Sequence, residues 1–537
     1  MAIERMTCEA RYKRLESDRL TFLNRARRCA ELTIPTLIPP QSHSKSTIYY
    51  TPWQGIGARG VNTLASKLLL SLLPPNSPFF RLEVDDFTAQ EMSGSPDQRA
   101  IIEEGLNKIE RAVQSEIEGG AMRSTVFRAF KHLIVGGNYL LYLPKDEKIK
   151  GWSFDSFVVK RDIYGNVLDI VAKDSVSPLT LSDDERALLN DEVGEMEDES
   201  KEDSEDDFYS DSTETVDVYI RMYRDDSKWR LYQEINGKVV PGSEGTYPIE
   251  KPPMIALRWT AIENEDYGRS YVEEYLGDLI SLEGLSKAIV QASAAAAKVV
   301  FLLNPNGVTR LKDLTQAESG DVVIGTKNDV DSLQSDKQAD MRIAYEAAKT
   351  ITDRLSAAFL MNSSVQRQAE RVTAEEIRTM ISELEDTLGG VYSVLAQEFQ
   401  LPFVIRIMDR MTKEKRLPAL PKGVVKPVIV TGLEALGRGQ DLQKLTMLMK
   451  AVEPLGPQVL AQYMNPGDYI KRAATALGID AGGLVKSEQQ MQQELQAQQQ
   501  QQMMQMGADM AGKAIPNAVK AMGDQATMNH AAQIEQG

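Results

Sequence analysis

The spacing of apolar residues predicts a helical start to the chain, followed by strands and then more helices. Residues 11–145 show mainly helical spacing, with proline-rich interruptions at residues 33–40 and 72–78. The period then becomes alternating at residues 156–173 and 215–240. We therefore expect an α+β protein that is mainly helical.

Two turn motifs predict hairpins in the strand region. Tyr164-Gly165-Asn166 separates two strands, and Asn236-Gly237, a pair typical of type I′ turns, closes a meander. In the meander, apolar and polar residues alternate, which predicts a strand with one buried face. The apolar positions are Val216, Val218, Ile220 and Met222, and the others are Asp217, Tyr219 and Arg221.

Three long helical patterns follow the strands. The first begins at Tyr271 and runs into the alanines at 294–297, which allow a neighbouring backbone to approach closely. A second begins at Ser335 and a third at Thr373, each with Gln or Glu three residues later to complete a capping box. Gly389-Gly390 interrupts the third pattern, which predicts a bend or close packing there.

Two shorter segments separate these helices. Residues 298–334 break into short apolar runs around one short helical piece, which predicts a small α/β module between the first and second helices. The stretch NSSVQRQAERVTAEEIR, residues 362–378, carries three arginines and three glutamates between the second and third helices. Its simplest interpretation is a charged loop between two helices, and such loops are commonly solvated.

Composition changes this picture mainly through the location of charge. The chain has 537 residues, enough for two or more domains, and a net charge of −17. Residues 182–211 contain fifteen acidic side chains against Arg186 and Lys201, so most of the negative charge belongs to one segment, expected to be a disordered, solvated loop. The remainder has no basic block, and we expect no tight phosphate binding. Residues 488–537 are rich in Gln and Met, which is typical of low-complexity sequence.

Cysteine usage and hydropathy point to a reducing compartment without a membrane span. Only Cys8 and Cys29 occur, too few to staple a chain of this length. The N-terminus has charges where a signal peptide needs an apolar run. The longest apolar stretch, residues 288–303, is interrupted by Gln, Ser and Lys, and is shorter than a membrane span.

Motifs for catalysis or cofactors are weak. GIGARG at residues 55–60 fits G-x-G-x-x-G, but the preceding STIYYT is short and polar and does not lead directly into the turn, so a helix start or close packing explains it better than a dinucleotide site. The P-loop, H-E-x-x-H and G-x-S-x-G patterns are absent. His43, His132 and His530 form no zinc spacing with the two cysteines.

Carboxylates along the long helices allow two interpretations. Runs of charge usually mark a solvated helical face. Alternatively, they form a surface past which polyanionic DNA slides without sticking, because like charges repel. The residues concerned are Glu273, Glu274, Asp278 and Glu283 in the first helix, and Glu383, Glu385 and Asp386 in the third.

Several long segments together carry a family resemblance. They are YYTPWQGIGARGVNTLASKLLLSLLP, DYGRSYVEEYLGDL, QRQAERVTAEEIR, SELEDTLGGVYSVLAQEFQLP and TGLEALGRGQDL. In this order the chain resembles the portal, or head-to-tail connector, proteins of tailed bacteriophages, most closely the short-tailed podovirus type. The resemblance extends over nearly the whole chain. It implies no role for the acidic insertion or the glutamine-rich tail.

The resemblance implies the phage portal fold, assembled as a twelve-subunit ring. Its parts would be the wing at 1–270, with a helical N-terminus, β hairpins and the acidic loop 182–211; stem helices at 271–297 and 335–361; the clip at 298–334; the tunnel loop at 362–372; a wing helix and connection at 373–439; the crown at 440–487; and the tail at 488–537.

The same resemblance implies a structural protein, not an enzyme, with no cofactor. The ring would stand at one capsid vertex of the virion, after synthesis in the host bacterial cytoplasm, and double-stranded DNA would be packaged and ejected through it. Implied partners are further copies of the chain, DNA, terminase, the major capsid and scaffolding proteins, and tail adaptor and internal core proteins, with no membrane.

The tunnel loop and stem helices that the resemblance implies also indicate candidate site residues. The tunnel loop would project into the channel, where repeated arginines make weak, exchangeable DNA contacts; its residues are Gln366, Arg367, Gln368, Glu370 and Arg371. The carboxylates of the first helix become channel-lining candidates. Subunit packing is expected at Ala294, Ala295, Ala296 and Ala297.

Two alternatives stay open at this stage. A soluble helical scaffold or adaptor could form other oligomers that never surround DNA, although the clip-like module disfavours it. A nucleotide-dependent enzyme could use GIGARG, and calorimetry of nucleotide binding would distinguish it from both assembly proteins.

Overall fold

The computed structural model describes residues 6–455 with several gaps. The gaps are residues 42, 45, 76–78, 85–95, 120–121, 146–147, 191–214, 297–299, 334–337, 362–373, 419–424 and 430–436; beyond 455, only residues 467, 469, 470 and 473 are described. The chain divides into two compact units, Met1–Leu436 and Gly437–Gly537.

Helices make up most of the described secondary structure. In chain order they are α1 (Cys8–Glu31), α2 (Ile56–Leu72), α3 (Pro96–Gly119), α4 (Met122–Gly136), α5 (Asp183–Asn190), α6 (Tyr271–Glu274), α7 (Leu276–Ala296), α8 (Leu311–Gln316), α9 (Gln338–Ala358), α10 (Ala374–Leu395), α11 (Leu401–Lys413) and α12 (Gly437–Val452). A π-helical turn, Ala396–Gln400, joins α10 to α11. Short 3-10 turns lie at Pro178–Thr180 and Glu453–Leu455.

Thirteen described strands form four antiparallel sheets. They are β1 (Phe80–Val84), β2 (Asn138–Tyr142), β3 (Lys150–Trp152), β4 (Phe157–Arg161), β5 (Val167–Val176), β6 (Val216–Asp225), β7 (Lys228–Ile235), β8 (Lys238–Val239), β9 (Gly245–Pro248), β10 (Met254–Arg258), β11 (Val300–Leu303), β12 (Val330–Leu333) and β13 (Val425–Ile429). The largest sheet has the order β4-β5-β6-β7-β8, with β9 also on β7; the others are β10-β2-β3, β1-β13 and β11-β12. This mixture confirms the predicted α+β class.

Both predicted hairpin turns are present. Asn236 and Gly237 have φ values of 48° and 74°, the two positive values that a type I′ turn requires. Between β4 and β5, Gly165 has φ 83° and the Asp162 carboxylate accepts from the backbone N–H groups of Tyr164 and Asn166 at 2.9 and 2.8 Å. Local residue chemistry therefore determines these connections.

The prediction of one buried face on β6 is wrong, because both faces of its centre are covered. Tyr219 lies in a small core with Cys8 and Tyr12 of α1, which packs across the sheet. Arg221 is buried and paired: its Nη2 donates to Asp169 Oδ2 at 3.0 Å, where Arg11 Nε also donates at 2.8 Å. The buried Asp169 carboxylate thus neutralises the Arg221 charge, although the alternating pattern had predicted that Arg221 faces solvent.

The prediction that residues 11–145 are mainly helical is confirmed, although the region also contains β1 and β2. One other sequence prediction needs correction. The acidic segment 182–211 starts with α5, where Ser182 and Glu185 form a capping box: the Ser182 N–H donates to the Glu185 carboxylate at 2.8 Å, and the Glu185 N–H donates to Ser182 Oγ at 3.4 Å. The rest of that segment lies outside the described residues.

The long helices follow the predictions with one break. The chain leaves helical geometry at Tyr275, φ −107°, so the first helix is divided into α6 and α7. In α10, Leu388 has φ −122° and ψ 19°, directly before Gly389-Gly390, which confirms the predicted bend. The capping residues Ser335 and Thr373 lie outside the described residues.

The main core of the first unit joins residues from distant parts of the chain. Helices α1, α2 and α4 bury their apolar faces in one cluster with β2, α10 and α11. Phe130 of α4, for example, meets Phe399 edge-on with ring centroids 5.6 Å apart. β1 pairs with β13 from Phe80↔Ile429 to Val84↔Val425, which fixes residues near 80 to residues near 430. This core carries the helix pair described next. Across the described helices, none combines the length and apolar character of a bilayer span.

Candidate functional site

Helices α7 and α9 pack against each other and carry the β11–β12 module at one end. The chain leaves along α7 and returns along α9, so the helices are antiparallel. Arg354, near the end of α9, donates from Nη2 to Asp278, near the start of α7, at 2.7 Å. Leu279, Leu282 and Leu355 are buried at the same end. One end of the pair is therefore fixed in the core, and the other carries the module.

The fixed end is built around Phe359, just after α9. Its ring lies 5.7 Å from the Tyr271 ring, and Tyr271 Oη donates to the Ala358 carbonyl at 2.7 Å. Gly60 of α2 packs directly against Phe359, because an added Cβ would stand 2.6 Å from the ring. Gly57 is equally constrained, since its Cβ would stand 2.5 Å from the Leu32 carbonyl oxygen. Gly57 and Gly60 of GIGARG thus serve close packing, whereas a Cβ at Gly55 would have no described atom within 4 Å. STIYYT contains no strand among its described residues.

A buried lysine connects both sides of the segment 362–373. Lys67 Nζ donates to the Leu360 carbonyl at 2.8 Å and to Glu383 Oε2 of α10 at 2.9 Å. Leu360 has φ 55°, and the Met361 N–H donates back to the Ser356 carbonyl at 2.8 Å, which ends α9 in a Schellman-type cap. We call Lys67, Phe359, Leu360 and Glu383 the loop base. Sequence reasoning missed Lys67, which no local pattern distinguishes from other helical lysines.

The predicted tunnel-loop residues lie outside the described part of the chain. These are Gln366, Arg367, Gln368, Glu370 and Arg371. Before the segment, Leu360 and Met361 are held at the loop base; after it, the loop-base residue is Glu383 of α10. Its DNA contacts stay a prediction.

Glu283 has an internal role rather than an exposed one. Its carboxylate accepts from Tyr50 Oη at 2.5 Å and from the N–H groups of Trp53 and Gln54 at 2.9 and 3.2 Å. The side chain is buried, and its hydrogen bond raises the pKa of Tyr50. The assignment of Glu283 to a channel surface loses its support, because its lone pairs are committed to the segment that leads into α2.

The other three predicted channel carboxylates differ in exposure and pairing. Glu273 accepts from Arg25 at 3.1 Å and Arg269 at 3.4 Å, and Asp278 is paired with Arg354. Glu274 is exposed, and among the described residues no hydrogen bond or ion pair to its side chain is found. Partial desolvation of its carboxyl group by neighbouring atoms, and then repulsion from Glu273, raise the Glu274 pKa. Their place in a channel stays a prediction, with Glu274 the least compensated charge.

The alanines predicted for subunit packing lie at the far end of α7. Ala294 and Ala295 are exposed, Ala296 is the last helical residue, and Ala297 falls outside the described residues. Small side chains on an exposed helix end suit close contact with another chain. Within one chain that contact stays untested.

The β11–β12 module confirms the predicted α/β insertion but leaves its apolar residues exposed. β11 pairs with β12 from Val300↔Leu333 to Leu303↔Val330, and α8 lies between them in sequence. The run DVVIG forms no strand. Several of its apolar side chains face outward, and their exposed fractions are Phe301 63%, Val308 64%, Leu311 63%, Val322 97% and Ile324 77%. A module this small cannot bury all its apolar residues alone.

Asp329 holds the module together. One carboxylate oxygen accepts from the N–H groups of Val308, Thr309 and Thr326 at 3.0, 3.1 and 3.2 Å, and from Thr309 Oγ1 at 2.9 Å. The bonds from Thr326 and Thr309 hold the Asp329 pKa well below its usual range. A single carboxylate thus fixes three backbone positions of an otherwise loop-rich module.

The cysteines and the described histidine of the core have structural environments. Burial raises the pKa of Cys29 to about 11 and that of Cys8 to about 12, so both thiols are protonated at neutral pH. Burial lowers the pKa of His132 to about 4, and its ring stacks on Tyr139 with centroids 4.9 Å apart. Within the described ranges, no three His, Cys, Asp or Glu residues gather as a metal site would require.

Comparisons with known proteins match one family model and several proteins over most of the chain. Residues 5–485 match the family model described as bacteriophage head to tail connecting protein. The portal protein of Escherichia phage T7 is 44% identical over 517 residues, covering 95% of this chain and 93% of that protein. The portal protein of Enterobacteria phage T3 is 45% identical over 490 residues, covering 90% and 89%. A chain in the virion of a native gene transfer agent particle superposes with a TM-score of 0.34 at 11% identity, covering 79% and 89%.

Proposed function

This chain belongs to the family of bacteriophage head to tail connecting proteins, and from that premise we propose that it assembles as a twelve-subunit ring that conducts double-stranded DNA. Its role is that of a structural portal protein at the capsid vertex, part of the virion where head and tail connect. Synthesis precedes assembly, in the host bacterial cytoplasm.

The single observation that carries the proposal is the helix pair with its two ends. Helices α7 and α9 hold the β11–β12 module at one end and the loop base at the other. In a ring, the segment 362–372 would point inward as the tunnel loop, while 298–334 would form the clip. One Arg367 or Arg371 makes a weak phosphate contact, but repetition around the ring multiplies it.

Further parts of the proposal concern partners. The exposed apolar residues of the clip support docking of terminase during packaging and of tail adaptor proteins afterwards. Residues 1–270 and 373–439 would contact major capsid and scaffolding proteins. Residues 440–487 would face the capsid interior and the internal core proteins. None of these contacts requires catalysis or a cofactor by this chain.

Electron microscopy of the purified full-length protein tests the ring first. End-on class averages should show rings with a central hole roughly 20 Å wide, the width of a DNA duplex. If only monomers or compact dimers without a hole were seen, even at high concentration, the ring proposal would be rejected in favour of the scaffold or adaptor hypothesis.

DNA packaging tests the tunnel loop. The double variant Arg367→Ala, Arg371→Ala should form rings but package more slowly or retain less DNA. Arg342→Ala is the matched control, because Arg342 is an exposed arginine on α9 outside the segment. Equal packaging and retention by both variants would remove the arginine contacts from the proposal.

A further inference from the structure

A pocket on α11 collects basic side chains in an otherwise acidic protein. Arg406, Arg410 and Lys413 lie on one face of the helix, because residues four and seven positions apart align. Lys145, just beyond β2, closes the opposite side, and Glu414 completes the lining. The cavity has a volume of about 270 Å³. None of these residues belongs to the helix pair or the loop base.

The guanidinium of Arg406 is buried with hydrogen-bonding capacity left over. Its Nε donates to the Leu143 carbonyl at 3.0 Å and its Nη1 to Asp409 at 3.1 Å. Among the described residues, Nη2 has no hydrogen-bond partner, although the side chain is only 1% exposed. Arg410 donates from Nη2 to Glu116 at 2.9 Å, and its Nε forms a longer ion pair with Glu414 Oε1 at 3.8 Å. Buried donors without partners are rare and costly, and they point to an absent acceptor.

Charge balance in the same place favours an anion. Three described carboxylates, those of Glu116, Asp409 and Glu414, are shared among six cations: Lys145, Lys251, Arg406, Arg410, Lys413 and Arg416. These six cations exceed the three described carboxylates by three charges; Asp146 and Glu147, which directly follow Lys145 in the chain, lie outside the described residues. Lys145 has no described ion pair, and its ammonium group lies 5.4 Å from the centre of the Tyr247 ring. This surplus stands out in a chain with a net charge of −17.

The shape of the pocket limits what the anion can be. Sites for drug-sized ligands have volumes of about 300–1,000 Å³, so this cavity suits a small group. The Tyr247 ring is already approached by Arg406 at 4.9 Å and Lys413 at 6.0 Å as well as by Lys145. Because cations crowd the aromatic ring, it is poorly placed to stack with a nucleobase. Arginine side chains match the geometry of phosphate oxygens.

We propose that the pocket formed by Lys145, Arg406, Arg410 and Lys413 binds one phosphate group. The group is either inorganic phosphate or a phosphodiester of DNA, and both offer the same oxygens to the free Nη2 of Arg406 and to Lys145. All the residues belong to one chain, so the site does not depend on ring formation. The proposal departs from the expectation, drawn from composition, that the chain binds no phosphate tightly.

Isothermal titration calorimetry with sodium phosphate tests the proposal on the full-length protein, in chloride buffer of constant ionic strength. Lys145→Ala should weaken phosphate binding at least fivefold, because Lys145 is exposed and holds no described ion pair. Lys148→Ala, a nearby exposed lysine outside the lining, should bind as the unchanged protein does. Arg406→Lys keeps the positive charge but removes Nη2, and should also weaken binding; a thermal melt checks that it folds.

Competition by a short DNA duplex then separates the two sources. Displacement of phosphate by the duplex identifies a phosphodiester site, whereas phosphate binding unaffected by duplex identifies a site for the free ion. The proposal is overturned if phosphate gives no heat beyond the chloride control. It is also overturned if Lys145→Ala and Arg406→Lys both bind phosphate as the unchanged protein does.

Discussion

At the scale of single residues, carboxylates that look alike in the sequence have different environments. Glu274 is exposed, whereas Glu283 accepts three hydrogen bonds from residues 50–54. Helical spacing identifies both as charges on one predicted helix. It does not identify Glu283 as an anchor, because its partners are more than 200 residues away in the chain.

Exchange of these carboxylates for amides should therefore affect the free energy of unfolding to different extents. Glu283→Gln is expected to lower the free energy of unfolding by about 1–3 kcal/mol, because charge-assisted bonds from Tyr50, Trp53 and Gln54 are weakened. Glu274→Gln should change the free energy of unfolding by no more than about 0.5 kcal/mol, as is usual at exposed positions. Denaturant unfolding measures both, and equal stabilities would show that Glu283 is no anchor.

Lys67 is the residue on which the loop base depends. Lys67→Met keeps the apolar stem but removes both hydrogen bonds, leaving the Leu360 carbonyl without this donor. We expect a loss of about 1–3 kcal/mol in unfolding free energy and faster amide exchange at Phe359, Leu360 and Met361. Ser66→Ala, an exposed change on the same helix, is the control. Unchanged exchange at these three amides would argue against the anchoring role.

At the scale of elements, the β11–β12 module is held together by one carboxylate, that of Asp329. Because the Asp329 pKa is lowered in the folded chain, its stabilisation is complete above the ordinary aspartate pKa and is lost only as the pH falls through the lower folded value. Amide protection at Val308, Thr309 and Thr326, corrected for intrinsic exchange, should thus stay constant from pH 7 to about 4.

Removal of that carboxylate provides the complementary test. Asp329→Asn should lower protection at the same three amides across this pH range. Asp331→Asn changes an exposed carboxylate on β12 and should not. A fall in protection already at pH 5, or equal behaviour of the two variants, would contradict the role of Asp329.

The bend in α10 depends on the glycines that follow Leu388. Among the described residues, no atom lies within 4 Å of a Cβ placed at Gly389 or Gly390, so the double alanine variant meets no steric barrier from them. It should favour a straight helix by about 2 kcal/mol and displace the segment 362–372, with slower DNA packaging. Gly105→Ala, also unobstructed in a helix, is the control. A variant structure that keeps the bend, with normal packaging, would show that tertiary packing alone sets it.

Sequence patterns predicted elements where local chemistry decides and failed where distant elements meet. The Asn236-Gly237 turn, the module at 298–334 and the bend at Gly389 are encoded by neighbouring residues. The burial of Arg221 depends on α1, whose Arg11 shares Asp169 with it. No alternating pattern contains that information, because a covering helix changes which face of the strand meets solvent.

At the scale of the whole molecule, the exposed apolar residues of the β11–β12 module form the surface that we propose other chains cover. Val322→Ser with Ile324→Ser should leave the unfolding of the isolated chain nearly unchanged, because both side chains are largely exposed. The double variant should reduce ring yield or terminase binding, measured by electron microscopy and pull-down. Lys312→Ser, also an exposed position of the module, is the control. If the double variant and the control both formed rings and bound terminase normally, the exposed apolar residues would have no role in assembly or docking.

The order of the elements around the candidate site could be predicted from the sequence, but the side-chain contacts within it could not. The sequence of helix, module, helix, charged loop and bent helix gave the resemblance that the family match confirms. Lys67, Asp329 and Arg406 were missed because each acts through contacts across the fold, and isolated basic or acidic residues carry no spacing signal. The pairing that joins β1 to β13 is the most distant case.

That pairing has a consequence for synthesis on the ribosome. Strand β1 leaves the ribosome early, yet its partner β13 is made only about 350 residues later. At roughly 5–20 residues per second, the nascent chain carries an unpaired strand edge for about 20–70 s. An open edge of this kind pairs readily with other chains. Overproduction at low temperature with a holding chaperone should therefore increase the soluble yield more than any change to the finished fold.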